Sequence, residues 1–361
     1  MTATRTVYVR DIPIGGHNPV VVQSMCAERL ENTKAIISEI ETLAEAGARI
    51  VRFAVRNMHE ARLIPEVVRH TTPALCADIH FDHRLALEAI KGGVHKVRIN
   101  PGNIGSLEKT KEVVRAAREH SIPIRIGVNG GSLDRIKYPK PNPQALVDSA
   151  LYHVEILEDL DFTDIVISLK SSDVHTTVLA NRLMVKRRNY PLHLGVTEAG
   201  FGLSAVIKSS IAIGSLLVDG IGSTIRVSMT GNSVDEIDAA YRILGAVGLA
   251  GHGINMISCP TCGRTDRSVD LASLAGDVEE LLMKRFGERL ASGGIVITVA
   301  VMGCEVNGPG EACDADIGIA GAGKSTFLLF KKGQSLGRVA GESVLESLSA
   351  LMDDILSERG V

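Results

Sequence analysis

Most of the chain alternates short β-branched runs with longer amphipathic stretches, and this alternation restricts the fold more than any other feature. Eight runs are predicted to be strands, at 20–25, 49–55, 74–81, 96–100, 123–129, 164–170, 192–200 and 223–229. Helical patterns separate them; in 32–47, for example, Ile36, Ile40 and Leu43 form one apolar stripe. Eight strands that are each followed by a helix, within about 250 residues, are typical of a (β/α)8 TIM-type barrel. A doubly wound open sheet is the main alternative, because the pattern does not show closure.

The rest of the chain predicts a small α/β domain. A cysteine-containing turn at 257–264 precedes a helix at about 267–291. Three strands are predicted at 295–303, 315–321 and 325–332, and a last helix at 342–360. The stretch GLAGHG, rich in glycine, marks the boundary. We therefore expect a barrel at 1–252 and a smaller domain at 253–361.

Composition excludes several classes of protein. Hydrophobic residues make up 45% and charged residues 22% of the chain, which is not the composition of a disordered protein. The net charge of −3, the aromatic content of 3% and the lack of Trp argue against nucleic-acid binding. No apolar run reaches the ~18 residues of a membrane helix, and the N-terminus has no apolar signal segment. We expect a cytoplasmic chain whose thiols stay reduced, so that clustered cysteines indicate a metal or redox site.

Charged and polar side chains lie near the carboxyl ends of the predicted strands, where TIM barrels have their active sites. The cations are Arg52, Arg98, Arg125, Lys170 and Arg226, and the polar residues are Asp78, His80, Asn129, Glu198 and Ser228. For one position, a structural ion pair or a shifted strand boundary is an adequate explanation. Five cations at equivalent positions instead favour a polyanionic ligand such as a diphosphate, since buried cations are costly unless they are paired. Glu198 is interpreted as a base, a ligand for a substrate hydroxyl, or a counter-ion of Arg226 or Lys170.

Four of the six cysteines lie in the smaller domain. Cys259 and Cys262 form a C-x-x-C pair, and Cys304 and Cys313 follow a helix and a strand later. This spacing leaves open a four-cysteine zinc site, an iron–sulfur cluster or a redox pair. Glu311 lies in a Gly-Pro loop seven residues beyond Cys304 and is a candidate oxygen ligand. The remaining two, Cys26 and Cys76, are expected to be small buried side chains.

Residues 318–325 match the phosphate-binding pattern G-x-x-x-x-G-K-[ST], with Lys324 and Ser325 at its end. A functional loop of this kind needs a helix directly after it, whose N-terminus faces the phosphates. Here the strand-like segment TFLLF follows instead. The stretch is therefore predicted to be a hairpin turn that imitates the motif.

Several long segments of the chain are similar to those of one enzyme family. They are VVQSM (21–25), AGARIVRFAV (46–55), ADIHFDHRLAL (77–87), KVRINPGNIG (96–105), PIRIGVNGGSL (123–133), LGVTEAG (194–200), GIGSTIRVSMT (220–230), ISCPTCGR (257–264) and VAVMGCEVNGPGEACDADIGIAG (299–321). On these segments the chain resembles, almost end to end, the 4-hydroxy-3-methylbut-2-enyl diphosphate synthases (IspG/GcpE family). Cys26, Ala27, Cys313 and the GAGKST stretch depart from the pattern of that family.

The resemblance implies a TIM-type barrel followed by a small α/β iron–sulfur domain, in a homodimer in which the cluster domain of one chain closes over the barrel of the other. It implies a [4Fe–4S] cluster held by Cys259, Cys262, Cys304 and Glu311, which leaves Cys313 outside the ligand set. It also implies electron delivery by reduced flavodoxin or ferredoxin.

The implied reaction is reductive ring opening and dehydroxylation of 2-C-methyl-D-erythritol 2,4-cyclodiphosphate to (E)-4-hydroxy-3-methylbut-2-enyl diphosphate, in the non-mevalonate isoprenoid pathway. The five cations named above would bind the diphosphate. Asn129, Ser228 and Asn307 correspond to polar contacts of the family with the same ligand. Glu198 corresponds to a proposed acid/base of the barrel, and Glu311 takes part in catalysis at the cluster.

Overall fold

The protein is represented by a computed structural model. The structure describes residues 4–99, 106–134, 136–249, 251–265, 269–305, 310 and 312–361. The chain divides into two compact units, Met1–Leu249 and Ala250–Val361. Within the described residues, no helix has both the length and the apolar character needed to cross a bilayer.

The first unit begins with an antiparallel hairpin of β1 (Thr6–Val9) and β2 (Ile12–Gly15), which precedes eight parallel strands. The eight are β3 (Val21–Met25), β4 (Ile50–Ala54), β5 (Ala74–Asp78), β6 (Lys96–Ile99), β7 (Ile124–Asn129), β8 (Ile165–Lys170), β9 (His193–Leu194) and β10 (Thr224–Ile225). Neighbours from β3 to β8 pair in chain order, and β10 lies between β3 and β9. A parallel bridge from Ile167 to Leu192 joins β8 to the start of β9. The sheet thus closes into the predicted TIM-type barrel.

Helices follow the strands as the sequence predicts. They are α1 (Thr33–Glu45), α2 (Met58–Arg69), α3 (His83–Lys91), α4 (Leu107–Glu119), α5 (Pro143–Glu158), α6 (Val174–Met184), α7 (Gly202–Val218) and α8 (Ser233–Ala246). The apolar stripe predicted for α1 is buried. Side chains that accept backbone N–H bonds fix several helix starts. These N-caps are Asn57, Asp82, Asn142, Asp173 and Asn232.

Strands β9 and β10 are much shorter than the predicted ranges 192–200 and 223–229. Only two residues of each stay in the sheet. The residues that follow them leave the ladder and line a cavity that includes Glu198 and Ser228. The sequence pattern continues through these segments because their apolar residues stay buried after the strand has ended, as Val196 and Val227 do.

The N-terminal hairpin was not predicted from the sequence, because its strands are only four residues long. Its apolar side chains Val9, Ile12 and Ile14 pack against Val21 and Ile50 at the starts of β3 and β4. Cys76 belongs to the same cluster, and Cys26 is also buried, as predicted for both. Since side chains alternate along a strand, Ile50 points to the same side as Arg52, the barrel interior. The hairpin therefore closes the amino-terminal end of the barrel.

The second unit is a five-stranded mixed sheet in chain order. Its strands are β11 (Gly253–Ser258), β12 (Val296–Met302), β13 (Ile317–Gly321), β14 (Thr326–Lys331) and β15 (Gln334–Ala340). The first three are parallel, and β14 and β15 run antiparallel to their neighbours. Helices α9 (Leu271–Gly293) and α10 (Val344–Glu358) pack on one apolar cluster of the sheet. Strand β15 was not predicted from the sequence, because its residues are almost all exposed and show no hydrophobic alternation.

The motif-like stretch at 318–325 consists of the end of β13 and the hairpin turn that the sequence predicts. The turn at 322–325 connects the antiparallel strands β13 and β14. Gly323, Lys324 and Ser325 have φ values of 81°, 52° and 54°, so three successive residues adopt the left-handed conformation of a tight turn. A strand and not a helix follows Ser325, so the stretch lacks the helix N-terminus of a phosphate-binding loop.

We expect Ile14→Ala to lower the free energy of unfolding by about 2–4 kcal/mol, because Ile14 is fully buried in the cluster that closes the barrel. Urea unfolding followed by circular dichroism measures the change. Tyr8→Ala is the matched control in the same hairpin, since Tyr8 is 61% exposed and its loss should change stability little. Equal losses for both variants would contradict the packing role of the hairpin.

Candidate functional site

The structure brings the five predicted cations together inside the barrel. In the parallel register Asp78 of β5 lies opposite Arg98 of β6, which in turn lies opposite Arg125 of β7. Arg98, Arg125 and Lys170 are buried, and Arg52 and Arg226 are partly buried. Positions on four strands and one position directly after β10 therefore form one strongly basic centre.

Asp78 is the carboxylate at the middle of this centre. Its Oδ1 accepts a hydrogen bond from Arg98 Nη1 at 3.0 Å, and its Oδ2 lies 3.7 Å from Arg52 Nε. Burial raises the pKa of Asp78, but the Arg52 charge, the hydrogen bond from His80 and the Arg98 charge together hold the pKa well below its usual range. Asp78 is therefore ionised and joins two guanidinium groups.

Glu236 on α8 is a second buried carboxylate, and the sequence analysis missed it. It accepts hydrogen bonds from Arg226 Nη2 at 3.3 Å and from the backbone N–H of Met229 at 2.9 Å. Arg226 thus pairs with Glu236 and not with Glu198. No strand pattern reveals this residue, because it comes from the helix after the last strand.

Arg125 has the least compensated charge in the centre. Its side chain is 1% exposed, and among the described residues its Nε and Nη1 have no hydrogen-bond partner. Burial lowers its pKa to about 9, and the neighbouring Arg52 adds to the shift. Asp78 acts on this guanidinium from a distance, but no described carboxylate forms an ion pair with it, and burial of such a charge is costly.

Arg52 forms an ion pair with Asp78 at 3.7 Å, but among the described residues its shorter side-chain contacts are with a sulfur atom. Its Nη2 and Nε lie 2.7 and 3.2 Å from the thioether sulfur of Met25, and Arg226 Nη1 lies 3.6 Å from the same atom. A thioether is a weak acceptor for a charged donor. The guanidinium groups are thus held in place while their strongest donor directions stay available to an anion.

Lys170, at the end of β8, contacts a residue that the sequence analysis did not select. Its Nζ lies 3.1 Å from Nε2 of His193, whose Nδ1 lies 2.7 Å from the Thr224 hydroxyl. Burial and then the charges of Arg125 and the other guanidinium groups lower the pKa of Lys170 well below its usual value. The alternation in LHLGV, which points His193 inward, was the available signal.

A second buried lysine, Lys96, lies deeper in the barrel and was also missed. Its Nζ donates to Gln23 Oε1 at 2.7 Å. Burial lowers the pKa of Lys96 to about 8. It adds positive charge to the same interior without an ion pair among the described residues.

Two glycines make room for the cations. A Cβ at Gly127 would lie 2.5 Å from Arg98 Nε, and a Cβ at Gly195 would lie 2.7 Å from Lys170 Nζ. A side chain at either position would therefore have to displace the cation, and at Gly195 it would also lie 2.6 Å from the backbone oxygen of Arg226. Arg98 and Lys170 are therefore held against the backbone of neighbouring strands.

A cavity of about 310 Å³ opens beside the cationic centre. Its lining includes Glu198, Arg226, Ser228 and Glu236. Glu198 is exposed and has a φ of 53°, a conformation that is costly for a non-glycine residue and concentrated at functional sites. Asn129 ends β7 opposite Lys170 in the register. Three of the predicted barrel residues thus share one cavity, and Asn129 lies at the end of a cation-bearing strand.

The parallel strands β11 and β12 place two cysteines at one edge of the second sheet. Cys259 directly follows β11, and Cys304 lies two residues beyond β12. The backbone N–H of Gly303 donates to the Cys259 sulfur at 3.1 Å. Cys262 is exposed, and a hydrogen bond from the Arg264 backbone lowers the pKa of its thiol. Cys259, Cys262 and Cys304 are partly or fully exposed, whereas Cys26 and Cys76 are buried. The sulfur atoms of Cys259 and Cys262 also accept hydrogen bonds from backbone N–H groups.

The complete predicted ligand set cannot be assembled from the described residues. Asn307 and Glu311 lie outside them. Among the described residues, no group of three or more His, Cys, Asp or Glu side chains is placed to hold a metal ion. Cys313 is exposed and lies in the segment between β12 and β13.

We expect Asp78→Asn to lower the free energy of unfolding at pH 7 by about 3 kcal/mol, since two buried guanidinium groups lose their shared carboxylate. Because the folded-state pKa of Asp78 is depressed, its stabilisation is present above the unfolded pKa of about 3.9 and is lost as pH falls through the folded pKa. Urea titrations from about pH 5 to about pH 8 should therefore give a constant difference.

Asp82→Asn is the matched control, because Asp82 pairs with the exposed Arg84 and should contribute less than about 1 kcal/mol. A loss for Asp78→Asn as small as that of the control would show that the basic centre does not depend on its carboxylate.

The barrel has the fold of known enzymes in the solved structures. It is similar to dihydropteroate synthase from Yersinia pestis, with a TM-score of 0.51 over 68% of this chain and 100% of that chain. The sequence identity is 10%, so this likeness concerns the fold alone.

Sequence comparisons give a much closer relation. The model of the GcpE TIM-barrel domain matches residues 4–241, and that of the GcpE C-terminal domain matches residues 255–354. The chain is 52% identical to the 4-hydroxy-3-methylbut-2-en-1-yl diphosphate synthase (flavodoxin) of Clostridium perfringens, over 98% of this chain and 99% of the relative. It is 48% identical to the enzyme of the same name from Geobacter sulfurreducens, over 99% of both chains. The chain therefore belongs to the GcpE family of 4-hydroxy-3-methylbut-2-en-1-yl diphosphate synthases, which are oxidoreductases of isoprenoid biosynthesis.

Proposed function

We propose that the chain opens 2-C-methyl-D-erythritol 2,4-cyclodiphosphate reductively and removes its hydroxyl oxygen as water, yielding (E)-4-hydroxy-3-methylbut-2-enyl diphosphate. The family relation supports this reaction. The observation that carries the substrate assignment is the uncompensated guanidinium of Arg125. A diphosphate supplies the anionic oxygens that this group lacks.

The barrel binds the diphosphate through its cations. Planar guanidinium groups form paired hydrogen bonds to phosphate oxygens, which suits Arg52, Arg98, Arg125 and Arg226, while Lys170 acts as a point charge. The buried carboxylates Asp78 and Glu236 offset part of this charge before the ligand arrives. The ligand set consists of Arg52, Arg98, Arg125, Asn129, Lys170, Arg226, Ser228 and Asn307.

Glu198 is the proposed acid/base residue. Glu198 lines the same cavity as Arg226 and Ser228 and is exposed. Loss of a hydroxyl as water requires a proton at the departing oxygen, and a carboxyl group within reach of that oxygen can supply it. Glu198 would therefore deliver or hold this proton while the cations keep the diphosphate fixed.

We take residues 1–252 as the barrel domain and residues 253–361 as a second functional domain. The second domain would hold a [4Fe–4S] cluster through Cys259, Cys262, Cys304 and Glu311. Two observations fit this donor set: adjacent parallel strands bring Cys259 and Cys304 to one edge, and Cys259 accepts a backbone N–H bond of the kind that tunes cluster thiolates. When bound, the cluster supplies single electrons and a Lewis-acidic iron. Glu311 is a weaker ligand than a thiolate and takes part in catalysis there.

Membership of the GcpE family also supports a proposal for the electron donor and for the oligomeric state. The curated relatives carry flavodoxin in their names, so we propose reduced flavodoxin as the donor, with ferredoxin as the alternative. We further propose a cytoplasmic homodimer that binds neither membranes nor nucleic acid.

Protein purified without oxygen should contain about four irons per chain and show a broad visible absorption band. It should convert the cyclodiphosphate with reduced flavodoxin, as followed by mass spectrometry. Cys304→Ala should lose the iron, the band and the turnover, because a cluster ligand is removed.

Cys313→Ala is the matched control and should keep all three properties, since Cys313 lies outside the proposed ligand set. Loss of the metal in both variants, with zinc in place of iron in the wild-type protein, would support the four-cysteine zinc site and overturn the reductive mechanism.

A subunit-mixing experiment tests the homodimer. We expect Arg125→Met and Cys304→Ala chains to be inactive alone, because one lacks a substrate ligand and the other the cluster. The two variants are reconstituted with iron and sulfide without oxygen, and their subunits are exchanged without unfolding the chains. If the cluster of one chain serves the barrel of the other, the mixed dimers should recover part of the wild-type turnover. Mixed dimers, identified by two affinity tags, that remain inactive would contradict this arrangement.

A further inference from the structure

Two fully buried side chains of the barrel, His193 and Thr224, have no role in the function proposed above. Both are 0% exposed, and they lie on the neighbouring strands β9 and β10. His193 contacts Thr224 through Nδ1 at 2.7 Å and Lys170 through Nε2 at 3.1 Å. Thr224, His193 and Lys170 thus form a chain of three polar groups. Lys170, at its end, is one of the residues proposed to bind the substrate.

The imidazole of His193 is uncharged in this chain. Burial and then the Lys170 charge lower its pKa well below the usual value. A neutral imidazole carries a hydrogen on one nitrogen and a lone pair on the other. When Nδ1–H donates to the Thr224 hydroxyl oxygen, Nε2 is left as an acceptor for Lys170.

We infer that His193, fixed by Thr224 with its hydrogen on Nδ1, is a positioning residue that keeps Lys170 an ammonium group directed at the bound diphosphate. This inference rests on the proposed function, because it assumes that Lys170 binds the substrate.

Lys170 needs such an acceptor because its surroundings oppose its charge. Burial is the largest cause of its lowered pKa, and cations on several strands add to it. These cations are Arg125 on β7, Arg226 after β10, Arg52 on β4 and Arg98 on β6. The nearby carboxylates Asp78 and Glu236 are already paired with arginines. Among the described residues, the acceptor in contact with Lys170 Nζ is the ring nitrogen of His193. An incoming anion would add a second group that favours the ammonium form.

The backbone limits where the amine can point. A Cβ at Gly195 would lie 2.7 Å from Lys170 Nζ and 3.2 Å from its Cε, so the lysine side chain lies directly against this strand. The backbone at Gly195, directly after β9, thus lies on one side of the amine, and the His193 ring contacts it at 3.1 Å. The diphosphate would bind the amine from another direction.

The test measures the affinity of the full-length, anaerobically purified protein for the cyclodiphosphate by calorimetry as a function of pH. Binding should weaken on the alkaline side, where Lys170 loses its proton. Thr224→Val keeps the shape of the side chain but removes the hydroxyl oxygen that accepts from Nδ1–H in the inferred arrangement. We call the pH range in which binding weakens the alkaline limb. We expect Thr224→Val to move this limb to lower pH by about one unit, so that binding above the limb is about tenfold weaker than in the wild-type protein.

Thr224→Ser restores the hydroxyl and should bring the limb back to its wild-type position. A second variant, His193→Asn, should shift the limb in the same direction as Thr224→Val, and it replaces that variant if the latter does not fold.

A uniform loss of affinity at every pH, with the limb unmoved, would mean that Thr224 and His193 act only in packing and would overturn the inference. Wild-type affinity and limb in the folded variants would overturn it as well. Failure of the proposed function is distinguishable, because then the wild-type protein itself would not bind the cyclodiphosphate at any pH.

Discussion

The organisation of the barrel depends on positive charge that is buried before a ligand is present. Asp78 holds Arg52 and Arg98, and Glu236 holds Arg226, but no carboxylate in the described part of the chain forms an ion pair with Arg125 or Lys170. Such an arrangement costs free energy in the unliganded protein. The strands, the glycines at 127 and 195 and the helix that carries Glu236 all serve to hold these groups in position. Preorganised donors of this kind need little rearrangement when an anion binds.

The alternation along the sequence was sufficient to predict the barrel, since each strand there is buried on both faces and each helix has one apolar side. It also identified the five cations, because a charged residue inside an apolar run needs an explanation that lies in the run itself. The alternation in LHLGV points His193 inward, but it does not reveal the contacts of that residue. The importance of Glu236, His193 and Thr224 comes from contacts between elements that are distant in the chain. The hairpin before β3 and the exposed edge strand β15 were missed for a different reason, because neither has a hydrophobic period long enough to detect.

The cysteines illustrate what spacing can and cannot establish. The C-x-x-C pair predicted a metal or redox site, but the distinction between zinc and an iron–sulfur cluster depends on a fourth ligand and on the sheet that orders the others. Strands β11 and β12 are parallel, and Gly253–Ser258 pairs in register with Val296–Val301. This pairing explains why Cys259 and Cys304, which are 45 residues apart, lie at the same edge of the sheet. Family membership then favours the cluster, through the relation of the whole chain and not through spacing alone.

The hairpin β1–β2 has an electrostatic consequence beyond its packing. By covering the amino-terminal end of the barrel with Val9, Ile12 and Ile14, it places an apolar layer of low dielectric behind the buried cations. Field lines from these charges then emerge mainly through the open mouth and are concentrated there. An anion in solution would be drawn toward that mouth from a distance comparable to the Debye length, about 10 Å at 0.1 M salt. The segment farthest from the chemistry would in this way set the speed of capture, and that speed would fall as ionic strength rises.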